Sequence, residues 1–260
     1  MSETQPQLTG KMFLFKEPEL LSVEQHGSIG FNPPEERFGF CKKIRGFPIN
    51  ANEVAPAMKH YPVFVVNYDM PMLLAATGVI DDENLFVDEK GAWEPKTYVP
   101  AYVRRYPFGI ASDSDSDRFA IVIDRAFDGL GEGGEIPLFE NGEPSENTKK
   151  AIDFCQGYER DRFMTKQFCE KLKELELLEG QKANFTAEGS SEEHSFAEYI
   201  GVSEQAVKKL TGDQLAELRD NGMLPIVYAM LMSLGNWPLL LQRRAERHKL
   251  NGVDVLNPIS

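Results

Sequence analysis

The stretch from Ser145 to Gly180 constrains this chain more than any other, because it reads as one uninterrupted helix that must bury a stripe along its whole length. Ser145 is a natural N-cap, and the helix is expected to run to about Glu179, where Gly180 stops it. Winding residues Ala151 to Leu178 at about 100° per residue brings Phe154, Tyr158, Phe168, Cys169, Leu172 and Leu175 onto one stripe. Asp161 and Thr165 project from the middle of that stripe, with Arg162 at its edge.

Something apolar must cover the stripe, and the first half of the chain supplies it. Residues 31–109 are rich in Pro, Gly and aromatics, with short apolar runs such as Val63-Phe64-Val65-Val66 that have strand character. Phe119 to Ile123 is a further strand candidate, and Pro137-Leu138-Phe139-Glu140 runs into an Asn141-Gly142 turn. The expected fold is α+β: an N-terminal segment (1–30), a β-rich half of mostly antiparallel character (31–144) and a helical half (145–260), packed as one integrated domain. Beyond a polar loop at Thr186 to Glu193 the remainder reads as helical. Thr211 to Gln214 forms a capping box, Gly222 ends a short helix, and Arg243, Arg244, Arg247 and Lys249 cluster near the end of the last one.

Charge narrows the partners. With 41 acidic against 28 basic residues the net charge is −13, so nucleic acid and anionic membrane surfaces are excluded as general partners. The opening MSETQPQLTGK lacks the basic-then-apolar pattern of a secretory signal, and Cys41, Cys155 and Cys169 form no even framework or CxxC pair. A cytoplasmic location is expected. Met223 to Leu241 has 19 residues without a charge, but Pro225, Gly235, Asn236 and Pro238 interrupt it, so two buried helical pieces are expected rather than a membrane span. Trp237 between those pieces should be buried, whereas Trp93 beside a turn glycine should be partly wet.

No common catalytic signature is present. His26, His60, His194 and His248 stand at no metal-ligand spacing, and GxSxG, GxxxxGK[ST] and GxGxxG are absent, so no metal and no cofactor are expected. Asp113, Asp115, Asp117 and Asp124 match a calcium loop only in part, because Arg118 stands where the turn glycine belongs; a solvated acidic loop fits better. The constellation that remains is polar and internal. A carboxylate such as Asp161 on a buried face needs a partner, and Arg104 and Arg105 are natural ones. Two readings stay open: a buried ion pair that fixes helix docking, or an anion site in which Arg104 and Arg105, flanked by Tyr102 and Tyr106, hold a carboxylate or phosphate near Asp161 and Thr165.

Residues Asn84 to Phe108, NLFVDEKGAWEPKTYVPAYVRRYPF, contain a polar turn at Asp88-Glu89-Lys90-Gly91 followed by the YVPAYVRRYPF run. With the upstream YPVFVV and the downstream PLFENGEPSE and AIDFCQGYERDRF, this combination resembles the SapC family of bacterial proteins from roughly Tyr61 to Trp237. It is distinct from the peptide-transporter permease of the same label, which needs several spans. The family name derives from association with bacterial surface layers, and relatives are often encoded beside outer-membrane uptake receptors, halogenase-like flavoproteins and cupin-like proteins. The resemblance thus implies a non-catalytic accessory or interaction protein with a protein partner. The alternative is a small-anion or carboxylate binder, or an enzyme, using the Arg104/Arg105 region.

Overall fold

The computed structural model describes residues 12–112 and 119–259. Thirteen strands occur among them. The first half contributes β1 (Pro18–Leu20), β2 (Ile29–Phe31), β3 (Gly46–Pro48), β4 (Val63–Val66), β5 (Met72–Ala76), β6 (Phe108–Ser112) and β7 (Phe119–Asp124). Short strands β8 (Leu130–Glu132), β9 (Ile136–Pro137), β10 (Phe139–Glu140) and β11 (Glu143–Pro144) lead to the long helix. Strands β12 (Leu178–Thr186) and β13 (Glu193–Val202) follow it. The helices are α1 (Val23–His26), α2 (Val54–Ala57), α3 (Ala101–Arg104), α4 (Glu146–Glu174), α5 (Glu204–Lys208), α6 (Gly212–Asp220), α7 (Leu224–Ser233) and α8 (Trp237–His248).

The architecture is α+β, built around a five-stranded sheet in the order β12-β13-β4-β5-β3, with every pairing antiparallel. The turn between β4 and β5 follows from Asn67, which adopts a left-handed φ of 61° and accepts the Asp69 and Met70 amides through its side-chain oxygen. Two three-stranded sheets, β1-β7-β6 and β8-β2-β9, and the β10-β11 pair complete the strands. Asp113 to Arg118, between β6 and β7, fall outside the described residues, and the carboxylate run with them.

Helix α4 begins as its sequence requires, with the Ser145 hydroxyl accepting the Thr148 amide. Its stripe is buried at Tyr158, Thr165, Phe168, Cys169 and Leu172, packed against β5, β6 and the turn at Ala51–Glu53. The helix is shorter than its periodicity suggests. Glu176 takes φ 53°, a conformation that ends a right-handed helix, and Leu177 and Leu178 are buried in the core. The stretch expected to be helical beyond the Thr186 to Glu193 loop begins instead as β13, which pairs with β12 in a hairpin from Leu178↔Val202 to Thr186↔Glu193. Strand β13 then pairs with β4 at Ile200↔Val65, so the C-terminal half supplies two strands of the central sheet. One core runs through both halves, joining Phe47 and Leu73 to Phe168, Leu218 and Leu240.

The uncharged run near the C-terminus forms α7 and α8, joined by a short 3-10 turn at Leu234–Asn236. By length and composition alone, Leu224–His248 is the one helical stretch among the described residues apolar enough to cross a membrane. Its buried face is tied into the domain: the Asn236 amide donates to the Met58 and Tyr61 carbonyls, and the Ser233 hydroxyl accepts the Val63 amide. Trp237 is buried, as expected, but so is Trp93, which stands 7% exposed because Phe38, Phe47 and Phe86 close around its ring.

Candidate functional site

The residues around α3 owe their placement to a buried carboxylate that the sequence reading passed over. Asn50 and Glu53 form a capping box, in which the Glu53 carboxylate accepts the Asn50 amide at 2.8 Å. The other oxygen of Glu53 accepts the Ala101 amide at 2.7 Å and the Tyr98 hydroxyl at 2.9 Å, pinning the first residue of α3. Burial raises the Glu53 pKa above the ordinary carboxylate value, and its three donors and the nearby Arg104 offset that only in part. The N-x-x-E spacing of Asn50 to Glu53 is the signal that would have found it.

With α3 fixed, the two arginines point to different environments. Arg105 is buried, with its guanidinium carbon 4.1 Å from the Tyr102 ring centroid and 4.4 Å from that of Tyr158. Its Nη1 donates to Glu159 at 3.4 Å, and its Nε is enclosed without a hydrogen-bond partner among the described residues. Arg104 is exposed and lies 5.1 Å from the Phe154 ring centroid and 5.7 Å from that of Tyr98. It donates from Nε to the Val99 carbonyl and from Nη2 to the Tyr98 hydroxyl, with no carboxylate in ion-pair range among the described residues.

The expected pairing of Asp161 with these arginines does not occur. Asp161 accepts from Asn52 at 2.9 Å, and Thr165 accepts the Ala51 amide while donating to the Asp161 carbonyl. The physical reason is that the turn at Ala51–Glu53 occupies the centre of the α4 stripe at that level, leaving α3 to meet the flank of the helix where Glu159 projects. Asp161 and Thr165 therefore belong to a docking network for α4, apart from Arg104 and Arg105. The two tyrosines also separate. Tyr102 covers Arg105 and donates its hydroxyl to the Phe13 carbonyl. Tyr106, joined to Pro107 by a cis peptide, stacks on Phe40 at 4.2 Å and donates to the fully buried Asp124. Asp124 in turn accepts the Lys16 and Glu17 amides, anchoring the N-terminal segment.

Arg104, Arg105 and Tyr106 line a cavity of about 430 Å³ between α3, the start of α4 and the segments bearing Phe31 to Phe40, Phe127 and Pro137. Its walls carry seven aromatic rings and three arginines, Arg37 being the third, and no acidic residue at all. In a chain of charge −13 this is the reverse of the average surface. The other large depressions that hold charged groups mix both signs, with Asp82 and Glu198 in one, Glu35, Glu36 and Asp128 in a second, and Asp88, Glu94 and Glu246 in a third. The first turn of α4, through Asn147 and Thr148, adds the positive end of a helix dipole to the wall. Such a cavity favours an anion, and its rings favour an apolar body behind the charge.

The C-terminal arginines serve structure. Arg244 is fully buried and bonds to Asp81, Glu83 and the Val255 and Asn257 carbonyls, while Arg247 reaches the Asn84, Leu85 and Val87 carbonyls. Together they clasp α8 to the 81–87 loop. Among the described residues no group of three His, Cys, Asp or Glu side chains is placed to hold a metal ion.

The SapC family model matches residues 21–240, a span that includes every residue lining the cavity. No curated protein and no solved structure matches the chain.

Proposed function

The chain belongs to the SapC family, and we propose that it is a non-catalytic accessory protein that holds a small organic anion in the cavity over Arg104 and Arg105. The observation that carries this reading is the three-arginine, acid-free wall in a strongly acidic chain. Binding is favoured over catalysis because the walls hold no imidazole, thiol, amine or carboxylate that could shuttle a proton or act as a nucleophile. Arg105, held between two tyrosines and Glu159, is a rigid part of the wall, and a rigid wall lowers the ordering cost of binding. The accessory role includes a protein partner, and three free buried thiols are in keeping with work in the reducing cytoplasm.

Thermal unfolding of the full chain against a panel of organic carboxylates tests the reading, since only a ligand of the folded state raises Tm. At a concentration a hundred times Kd the stabilisation is about 2.7 kcal/mol, or about 5–10 °C for a domain of this size. Ala151 lines the cavity, so an Ala151→Phe variant that folds should lose the shift. A panel that leaves Tm unchanged, or one that shifts wild type and Ala151→Phe alike, overturns the proposal.

A further inference from the structure

The donors of Arg104 are only partly used. Its Nε–H is spent on the Val99 carbonyl at 3.1 Å, and one Nη2–H is spent on the Tyr98 hydroxyl at 3.2 Å. Of the five N–H groups of a guanidinium, three remain, two on Nη1 and one on Nη2. A pair of donors on adjacent guanidinium nitrogens matches the two oxygens of a carboxylate. Both contacts that consume donors also fix the plane of the group, and the Phe154 and Tyr98 rings lie close to it. Arg104 is thus oriented in advance for one flat anion.

Arg105 offers something different. Glu159 pairs with it at 3.4 Å, and the Tyr102 and Tyr158 rings pack close to its guanidinium, so it adds less net attraction for a second negative charge than Arg104 does. The rest of the wall adds the Arg37 guanidinium, the Asn147 amide and the Thr148 hydroxyl as donors, while Pro34, Pro107 and Pro137 contribute no N–H. The remaining surface is ring edges and faces, with Phe31 stacked on Phe127 at 5.8 Å and Phe127 edge-on to Tyr106 at 5.3 Å. A cavity of about 430 Å³ has room for roughly a two-ring body.

We infer that the ligand is a planar aromatic monocarboxylate, with Arg104 as the residue that reads its charge and Arg105 as a fixed wall. This rests on the anion site proposed above and narrows it. Offset and edge-to-face contacts with the cavity rings hold the ligand's aromatic body, and the carboxylate lies on the open fork of Arg104.

Isothermal titration of the full chain with naphthoate, naphthamide, butyrate and inorganic phosphate separates the possibilities. Naphthoate is expected to bind; naphthamide, which keeps the rings and loses the charge, should bind at least about tenfold more weakly, as should butyrate and phosphate. Arg104→Gln, at an exposed position where folding should persist, is expected to weaken naphthoate about tenfold or more while leaving naphthamide unchanged, and Arg104→Lys should restore only part of the loss because a point charge cannot replace the fork. Equal binding of butyrate or phosphate keeps the anion site and overturns the aromatic class. Unchanged naphthoate binding in Arg104→Gln overturns the assignment of Arg104. No binding by any of the three anions overturns the site itself.

Discussion

Arg105 and Glu159 meet at 3.4 Å with side chains only 5% and 14% exposed, so the ion pair that docks α3 on α4 is made on the flank of the helix, one residue past Tyr158. Losing one member strands the other in a shielded site. Glu159→Ala should therefore cost about 3–5 kcal/mol, whereas Asp161→Ala, which gives up a bond to the exposed Asn52, should cost about 1 kcal/mol or less. Urea denaturation of the two single variants gives the comparison, and a cycle with Arg105→Ala should show the double variant losing less than the sum of the singles. Equal costs at 159 and 161 contradict this arrangement.

Glu53 predicts a pH dependence. Burial is the largest influence on its pKa and raises it from 4.5. A carboxyl with a raised folded-state value binds its proton more tightly when folded, so its contribution is fully present below the unfolded value and is lost as pH rises through the folded one. Wild type should accordingly be most stable relative to Glu53→Gln at about pH 4, and should lose ground as the pH is raised to about 7. Denaturation midpoints of both proteins across that range provide the check. A gap that widens in favour of wild type with rising pH gives Glu53 the opposite sign.

The three thiols should be inert in the folded chain. Burial pushes Cys155 up to about 11 and Cys41 and Cys169 up to about 12, leaving almost no thiolate at neutral pH. Reaction with a disulfide reagent should be slower than in urea by at least about a hundredfold, reporting exposure as well as acidity. One fast thiol per folded chain contradicts the burial described for these positions.

Local signals carried the sequence reading where helices begin and failed where strands form late in the chain. Ser145, Thr211 and the breakers of the 223–241 run each act through neighbouring atoms, and the structure places caps and a turn at those points. The β12–β13 hairpin went unread because charged residues such as Lys182 and Glu198 face each other on its open surface, blurring the apolar alternation that marks a strand. Trp93 differs from its expectation for another reason: the turn glycine before it suggests an open hairpin tip, and the rings that bury it come from Phe38, Phe47 and Phe86. At the site, the motif carrying Arg104, Arg105 and Tyr106 was legible. Their true partners were not, since Glu159 reaches Arg105 and Asp124 reaches Tyr106, while Glu53 pins Ala101 at the start of α3, all over separations that only the fold closes.

An organic anion that enters the cavity bounded by Arg104 and Arg105 is reported directly by the side-chain Nε–H resonances of those two residues. In a ¹H–¹⁵N titration of the full chain with naphthoate, both resonances should move in a saturable way. The indole N–H of Trp237, which borders a different depression, should stay in place. Movement of the Trp237 signal without the arginines, or arginine resonances that remain fixed at saturation, would contradict the account.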